Sequence, residues 1–314
     1  MCCLFGLLDY GNVFSYREKN KIIKILAREC EARGTDAAGI AYVQNGTMHV
    51  HKKPLPAHKI AFKIPKDVTV IMGHTRLTTQ GSETYNENNH PFAAKTFALA
   101  HNGVIHNDKK LRTQYHLPKT KIETDSYVAV QLLETEGAIC GDTIQRMVEV
   151  VEGSFCFTVL DQAETMYLVK GDNPLCVYHC KEQGFYIYAS TEEILRRALV
   201  KLELLLKYKF LKVKLEMGDI LRLSKHGELT KQTFDTSNLE SRSFHGCLPY
   251  FYRKESEYMD MLAQYGKMKG INRWEIQLLY ECGYGLDEIE TMMCDTMEWR
   301  TAVTEAVDSC FNQV

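Results

Sequence analysis

Short strand-like segments separated by tight turns fill the first two thirds of the sequence, and this pattern limits the fold class. After a first strand at residues 3–8, such segments recur at 68–73, 96–101, 154–160, 165–170, 175–179 and 185–189. Many follow one another in hairpin-like runs, as across the Asn45-Gly46 turn, which is typical of antiparallel pairing. The pattern therefore favours an antiparallel sheet flanked by helices over a doubly wound parallel sheet, in which strands and helices would alternate regularly.

Helical spacing of apolar residues appears between these strands. The helical segments are 17–33, 124–136, 144–151 and 191–201. The first of them predicts a packed helix with Gly34 in the position of its C-terminal cap. The last is expected to begin at Ser190 or Thr191.

The end of the sequence has a different character and predicts a second domain. A chain of 314 residues is long enough for two domains. From residue 253 onward only helical patterns remain, with six Lys or Arg and twelve Asp or Glu. We therefore expect a first domain over 1–235, a linker over 236–252 and an acidic helical module over 253–314. Because acidic helices repel phosphates, this module is expected to serve dimerisation or docking of a protein partner.

Composition excludes several classes of function. The net charge is −2 and charged residues make up 25% of the chain, so we expect no nucleic acid and no membrane as a partner. The sequence has 11 cysteines, no secretory signal and no apolar run of membrane-spanning length, which predicts reduced thiols in the cytoplasm. Cys176 and Cys180 flank His179, but no second Cys or His pair completes a zinc set. We expect neither a metal nor an organic cofactor.

Cys2 directly follows the initiator methionine and precedes the first apolar strand. Once Met1 is removed, this residue carries both a thiol and a free α-amine. The α-amine has an unperturbed pKa of about 8, so it can accept the thiol proton near neutral pH. An N-terminal cysteine is in this way a nucleophile with its own base. By itself, however, a cysteine at position 2 usually has no catalytic role.

Polar residues at the predicted ends of other elements could form a binding site, and each also has an ordinary structural interpretation. Arg76 leaves an apolar strand and could bind a carboxylate, or lie on the surface of a polar loop. Asn102 and Gly103 follow another strand and could form an oxyanion hole, or a simple Asn-Gly turn. Asp125 precedes a helix and could face a substrate ammonium group, or cap that helix.

Taken together and in order, these segments resemble the class II glutamine amidotransferase domain. This is the N-terminal-nucleophile hydrolase domain found in glucosamine-6-phosphate synthase, amidophosphoribosyltransferase and asparagine synthetase. The matching segments are Cys2 with Phe5-Gly6, Arg33-Gly34-Thr35-Asp36-Ala37-Ala38-Gly39-Ile40, Gly73-His74-Thr75-Arg76, Asn89-His90-Pro91, His101-Asn102-Gly103 and Glu123-Thr124-Asp125. The resemblance extends to about Leu223.

The resemblance implies an α+β fold, a four-layer αββα sandwich of two antiparallel sheets between helices. It implies hydrolysis of the side-chain amide of L-glutamine to glutamate and ammonia through a thioester. The site residues that it implies are Cys2 as nucleophile and base, Asn102 and Gly103 as oxyanion hole, Arg76 and Thr79 on the glutamine α-carboxylate and Asp125 on the α-ammonium.

Four positions depart from the family pattern. They are Cys3 where glycine is nearly always found, Leu77 where an aromatic residue is frequent, Ala37 where serine is usual and Gln80 where histidine is common. A second thiol beside the nucleophile could crowd it or open a disulfide-forming side path.

The helical end of the sequence is too short for the ammonia-consuming domains of the family's synthases. We therefore expect a freestanding glutaminase subunit that passes ammonia to a separate acceptor synthase. Two alternatives stay open. One is an amide hydrolase of the same fold that acts on another γ-glutamyl substrate, and the other is a non-catalytic binding or regulatory protein.

Overall fold

The chain divides into two compact units, Met1–Arg242 and Ser243–Val314. The structure, a computed structural model, describes residues 2–240, 259, 262–263, 266–267, 270–282, 284–293 and 296–311. The predicted linker at 236–252 lies outside the described residues from position 241 onward.

The strands of the first unit are short and mostly buried. In chain order they are β1 (Cys3–Leu8), β2 (Ala37–Gln44), β3 (Thr47–Lys53), β4 (Val70–Arg76), β5 (Phe92–Ala93), β6 (Phe97–Ile105), β7 (Gly153–Asp161), β8 (Met166–Lys170), β9 (Cys176–Cys180), β10 (Phe185–Ala189), β11 (Leu211–Lys212), β12 (Asp219–Leu223) and β13 (Leu229–Thr233). The predicted Asn45-Gly46 turn joins β2 to β3, and both turn residues have the positive φ that this type of hairpin requires, 50° and 72°.

The described residues of the same unit contain seven helices. They are α1 (Tyr16–Cys30), α2 (Asp108–Gln114), α3 (Tyr127–Glu136), α4 (Gly141–Val150), α5 (Glu192–Lys201), α6 (Leu204–Lys207) and α7 (Ser237–Glu240). Short 3-10 helices span Ala57–Lys59 and Asn86–Asn88.

The strands form two antiparallel sheets. Seven strands form the first sheet in the order β11-β9-β10-β1-β4-β2-β3, and six form the second in the order β13-β12-β8-β7-β6-β5. β1 lies in the interior of the first sheet, paired with β4 on one side and β10 on the other. The segment that follows Cys2 is therefore held along both edges.

Side chains alternate between the two faces of each sheet. Each sheet packs against helices on one face and against the other sheet on its other face, which gives four layers. On β1, Phe5 and Leu7 pack against α1 and α5, whereas Leu4 and Leu8 face the second sheet. The outer face of the second sheet packs in the same way against α3 and α4. The predicted αββα sandwich of two antiparallel sheets between helices is confirmed.

Two of the differences from the predicted element boundaries bear on the site. α1 begins with a capping box between Ser15 and Glu18, but it ends at Cys30 with Glu31 as its cap, so the assignment of Gly34 as the cap was wrong. β6 runs to Ile105 because its pairing with β7 continues that far. Asn102 and Gly103 therefore lie within a strand, and the prediction that they follow its end was also wrong.

The described part of the second unit is helical. It contains α8 (Arg273–Glu281), α9 (Leu286–Met292) and α10 (Thr296–Phe311). Asn272 and Glu275 form a capping box at the start of α8, as their spacing suggests. Ile276, Leu279 and Ile289 belong to a separate small core of this unit. None of the helices in the described ranges of the chain is long and apolar enough to cross a membrane.

Candidate active site

Cys2 lies at the entrance of β1, beside the end of β4. Because side chains alternate along a strand, Cys2 is on the same side as Leu4, toward the space between the sheets. Its Sγ atom is 3.4 Å from the backbone nitrogen and 3.4 Å from the carbonyl oxygen of Leu77. The Cys2 carbonyl oxygen accepts a hydrogen bond of 2.9 Å from Arg33 Nε. Both the backbone and the thiol of Cys2 are thus fixed by neighbouring segments.

The thiol of Cys2 needs a base, and the buried histidines nearby are poor candidates. Burial raises the pKa of the Cys2 thiol, although the Leu77 N–H and the charge of Arg76 act in the opposite direction. Burial also lowers the pKa of His74 to about 3 and that of His90 well below its usual value. Imidazoles this weak accept a thiol proton inefficiently near neutral pH.

Cys3 points away from Cys2, into the core between β1 and α1. It is wholly buried, and its thiol forms a hydrogen bond with that of Cys30 at the end of α1. Burial raises the pKa of the Cys30 thiol well above its usual value, so Cys30 stays protonated. The second thiol occupies the helix side of the sheet and does not crowd Cys2.

Arg76 is the last residue of β4, and neutral oxygen atoms hold its buried guanidinium. The terminal nitrogens donate to Asn89 Oδ1 at 2.7 Å and to the carbonyl oxygens of Gln80 and Gly81 at 2.6 and 2.8 Å. Burial lowers the pKa of Arg76, but an arginine remains charged at physiological pH. Within the described part of the chain it forms no ion pair. The guanidinium is held in place and its charge is not balanced by an ion pair, so it is suited to bind a carboxylate ligand.

Asp125 is tied to β6 and does not cap α3. Its Oδ2 atom accepts a hydrogen bond of 2.6 Å from the backbone nitrogen of Ile105, and its Oδ1 atom lies 3.4 Å from the Ser126 hydroxyl. Ser126 Oγ is in turn 2.7 Å from His101 Nδ1. The buried carboxylate is close enough to Arg76 for its charge to favour the protonated guanidinium. Asp125 and Arg76 therefore place opposite charges in one region.

Asn102 and Gly103 lie on β6, across the inter-sheet space from β1. The Asn102 side chain is buried, with Nδ2 3.4 Å from Ser190 Oγ. Ser190 Oγ also accepts a hydrogen bond of 2.8 Å from the backbone nitrogen of Leu4. Gly103 has φ of 140°, and a Cβ atom on it would lie 1.9 Å from the carbonyl oxygen of Ser154. Only glycine fits at this position.

Thr79 is a predicted site residue that no observed interaction ties to the rest of the site. It is exposed in the turn after β4, and no hydrogen bond joins it to another described residue. Two residues that contact the site were not predicted to do so: Asn89 was matched only as part of a family segment, and Ser190 was considered only as a helix cap. For Ser190 the available signal was a polar residue directly after a predicted buried strand, and for Asn89 there was no periodic signal.

Comparison with known proteins is consistent with this geometry. Residues 74–197 match the family described as glutamine amidotransferase domain. The isomerizing glutamine–fructose-6-phosphate aminotransferase of Staphylococcus epidermidis is 35% identical over 201 residues, which cover 60% of this chain and 32% of that protein. The enzyme of the same name from Staphylococcus aureus is 33% identical over 220 residues, which cover 67% and 34%. The chain spans about a third of the length of these relatives.

Solved structures share the fold. The glutamine phosphoribosylpyrophosphate amidotransferase of B. subtilis matches with a TM-score of 0.57 at 20% identity, over 74% of this chain and 49% of that chain. The allosteric regulatory enzyme of purine biosynthesis matches with a TM-score of 0.59, also at 20% identity and with the same coverage. The ordered motifs, the αββα sandwich and these matches agree: the chain carries a class II glutamine amidotransferase domain of the N-terminal-nucleophile hydrolase type.

Proposed function

We propose that the first unit hydrolyses the side-chain amide of L-glutamine to glutamate and ammonia. One observation carries the proposal. Arg76, which has no ion pair among the described residues, lies within range of the charges of both Cys2 and Asp125, and Ser190 links Asn102 to the strand that follows Cys2. A free amino acid presents a carboxylate and an ammonium group, which Arg76 and Asp125 complement. These two charges favour glutamine over a substituted amide.

In the proposed reaction, Arg76 binds the α-carboxylate of glutamine and Asp125 binds the α-ammonium. Thr79, in the turn behind Arg76, adds a hydroxyl to the carboxylate site. Binding at these groups holds the side-chain amide for attack by the thiolate of Cys2. The amide carbon forms a bond to sulfur, ammonia leaves with the proton taken from the thiol, and water then cleaves the γ-glutamyl thioester to release glutamate.

The negative oxygen of each tetrahedral intermediate requires donors that are already in place. We assign this role to the side-chain N–H of Asn102 and the backbone N–H of Gly103. Removal of one such donor typically lowers kcat about 100- to 1,000-fold. We assign the role of base to the α-amine of Cys2 itself, exposed by removal of Met1, since its ordinary pKa of about 8 suits proton transfer near neutral pH.

We further propose that a synthase on a separate polypeptide consumes the ammonia. The second unit offers a surface for such a partner, because Trp274 and Met297 are 57% and 81% exposed on a mainly acidic set of helices. Replacing both residues with serine should abolish co-purification with an ammonia-dependent synthase activity and leave glutamine hydrolysis unchanged. Retained co-purification would contradict this part of the proposal.

Turnover of glutamine by the Met1-processed protein tests the reaction. We expect ammonia and glutamate in equal amounts, loss of turnover in Cys2→Ala, and a KM raised about 100-fold in Arg76→Ala, which loses hydrogen bonds to a charged group. Cys140→Ser, which changes an exposed thiol, is the matched control and should keep full activity.

Three results would count against the proposal in different ways. An inactive processed protein would contradict glutamine hydrolysis. Equal activity of Cys2→Ala and the unchanged protein would contradict the thioester mechanism. Faster hydrolysis of a γ-glutamyl dipeptide than of glutamine would support the alternative amide hydrolase.

A further inference from the structure

Ser190 is a buried serine whose hydroxyl is not used by the helix that follows it. It lies directly after β10 and is wholly buried. The next residue, Thr191, caps α5 by accepting a hydrogen bond of 3.3 Å from the backbone nitrogen of Ile194. The Ser190 side chain is therefore available for contacts elsewhere, and it faces β1 and β6.

The Ser190 hydroxyl accepts two hydrogen bonds from two different strands. Its oxygen accepts from the backbone nitrogen of Leu4 at 2.8 Å and from Asn102 Nδ2 at 3.4 Å. The Ser190 side chain also interacts with the thiol of Cys3. The backbone nitrogen of Ser190 donates to the carbonyl oxygen of Leu4 at 2.9 Å. A serine hydroxyl has two acceptor sites, and both are occupied here.

We infer that Ser190 is a positioning residue that aims the side-chain amide of Asn102 at the oxyanion and links it to the strand that carries the nucleophile. The inference rests on the proposed function, because the oxyanion forms only in the proposed hydrolysis of glutamine. An amide NH₂ group has two hydrogens. One is bound by Ser190, which leaves the other available to the oxyanion.

The link crosses between the two sheets. Asn102 belongs to the second sheet, while Leu4 lies two residues after Cys2 in the first sheet. Ser190 bonds to both through a single oxygen atom. The Ser190 side chain therefore helps to fix the distance between the nucleophile and the oxyanion donor, in addition to the packing between the sheets.

A double-mutant cycle separates positioning from general destabilisation. In Ser190→Ala we expect kcat for glutamine to fall about 10- to 100-fold with KM changed less than about threefold, because the amide is misplaced while the groups that bind glutamine are intact. In an Asn102→Ala background the same change should lower kcat less than about twofold, since the residue that Ser190 positions is already gone. Equal effects in both backgrounds would overturn the inference.

Ser224→Ala is the matched control. Ser224 is also buried, and its hydroxyl binds the backbone nitrogens of His226 and Glu228 in the turn between β12 and β13. This variant should lose stability and keep kcat. A kcat loss in Ser224→Ala equal to that in Ser190→Ala would mean that destabilisation alone explains both and would overturn the inference.

Crystal structures provide a readout that does not need turnover. In Ser190→Ala the Asn102 amide should rotate away from its original position, and an unmoved amide would overturn the inference. If the processed wild-type protein releases no ammonia, the proposed function fails, while the position of Asn102 still decides whether Ser190 orients it. Should the alanine variant not fold, Ser190→Cys, with a poor acceptor in place of the hydroxyl, replaces it in each measurement.

Discussion

The backbone of Arg76 occupies the space that a side chain on Gly34 would need, since a Cβ atom there would lie 2.5 Å from the Arg76 carbonyl carbon. Asp36, two residues further on, also binds this part of the chain. Its backbone nitrogen donates a hydrogen bond of 3.0 Å to the Arg76 carbonyl oxygen, and its carboxylate accepts one of 2.7 Å from the backbone nitrogen of Thr78. The segment after α1 therefore supports the end of β4, where the guanidinium and the backbone that contacts Cys2 are located.

Gly34→Ala should displace Arg76 and raise the KM for glutamine about tenfold, because small misplacements of a binding group have large kinetic effects. Overpacking should also lower the free energy of unfolding by about 1 to 3 kcal/mol. Steady-state kinetics and urea unfolding measure the two effects. Gly137→Ala is the control: Gly137 has φ of 78° with open space around it, so alanine adds strain without displacing the site. A KM unchanged in Gly34→Ala would show that this contact does not set the position of Arg76.

Asp125→Asn should remove the selectivity for an α-ammonium group. Asparagine can still accept the Ile105 hydrogen bond but carries no charge. A hydrogen bond to a charged group contributes about 1.5 to 3 kcal/mol, so kcat/KM for glutamine should fall about 10- to 100-fold. Glutaramate, which lacks the α-ammonium, serves as the control substrate, and its hydrolysis should change little. An equal loss for both substrates would argue that Asp125 acts only on the structure of β6.

Acidification should destabilise the fold through His74. Burial lowers its pKa to about 3 in the folded protein, whereas an unfolded chain has a histidine pKa of about 6.5. The unfolded state therefore binds more protons below pH 6.5, and the stability present above that pH is lost progressively as pH falls toward 3. From this residue alone, the free energy of unfolding should fall by about 2 kcal/mol between pH 6.5 and 5.

Urea unfolding at pH 7 and pH 5 measures this effect in the unchanged protein and in His74→Asn, which should show the smaller pH dependence. His116→Asn is the control, because His116 is exposed and its φ of 51° is one that asparagine tolerates. An identical loss of stability in His74→Asn and the unchanged protein would assign the pH dependence to other groups.

Cys3→Ala should affect stability more than catalysis. Cys3 fills the core beneath α1, so its truncation should lower the free energy of unfolding by about 1 to 2 kcal/mol. Its side chain faces away from Cys2, and alkylation of Cys2 by iodoacetamide should keep its rate within about threefold. A tenfold change in that rate, measured by mass spectrometry, would mean that the second thiol does tune the nucleophile.

Local features of the fold could be read from the sequence because they depend on neighbouring residues. The Asn45-Gly46 turn requires positive φ at both positions and allows few alternatives. The alternation of β1 similarly places neighbouring residues such as Cys3 and Leu4 on opposite faces of the sheet once the strand is recognised. The charged and amide residues of the site, by contrast, were assigned because the order of their segments along the chain resembles that of a known family.

Contacts across the fold could not be predicted in this way. Ser190 and Leu4 are far apart in sequence and meet only because β10 pairs with β1. Asn89 reaches Arg76 through the path of a loop that has no periodic pattern. Gly34 was assigned to a helix end because a glycine after a helical segment commonly caps it, whereas the packing of Arg76 gives the physical reason for its presence.

The pairing of β1, with β4 from Cys3 onward and with β10 from Phe5 onward, has a practical consequence. Because β1 is paired along its length, we expect removal of Met1 to change the chemistry of Cys2 without changing the fold around it. In the proposed mechanism the unprocessed chain is a folded zymogen. A purification tag fused ahead of Cys2 would give a well-folded but inactive protein, and folding assays alone would not distinguish it from the mature enzyme.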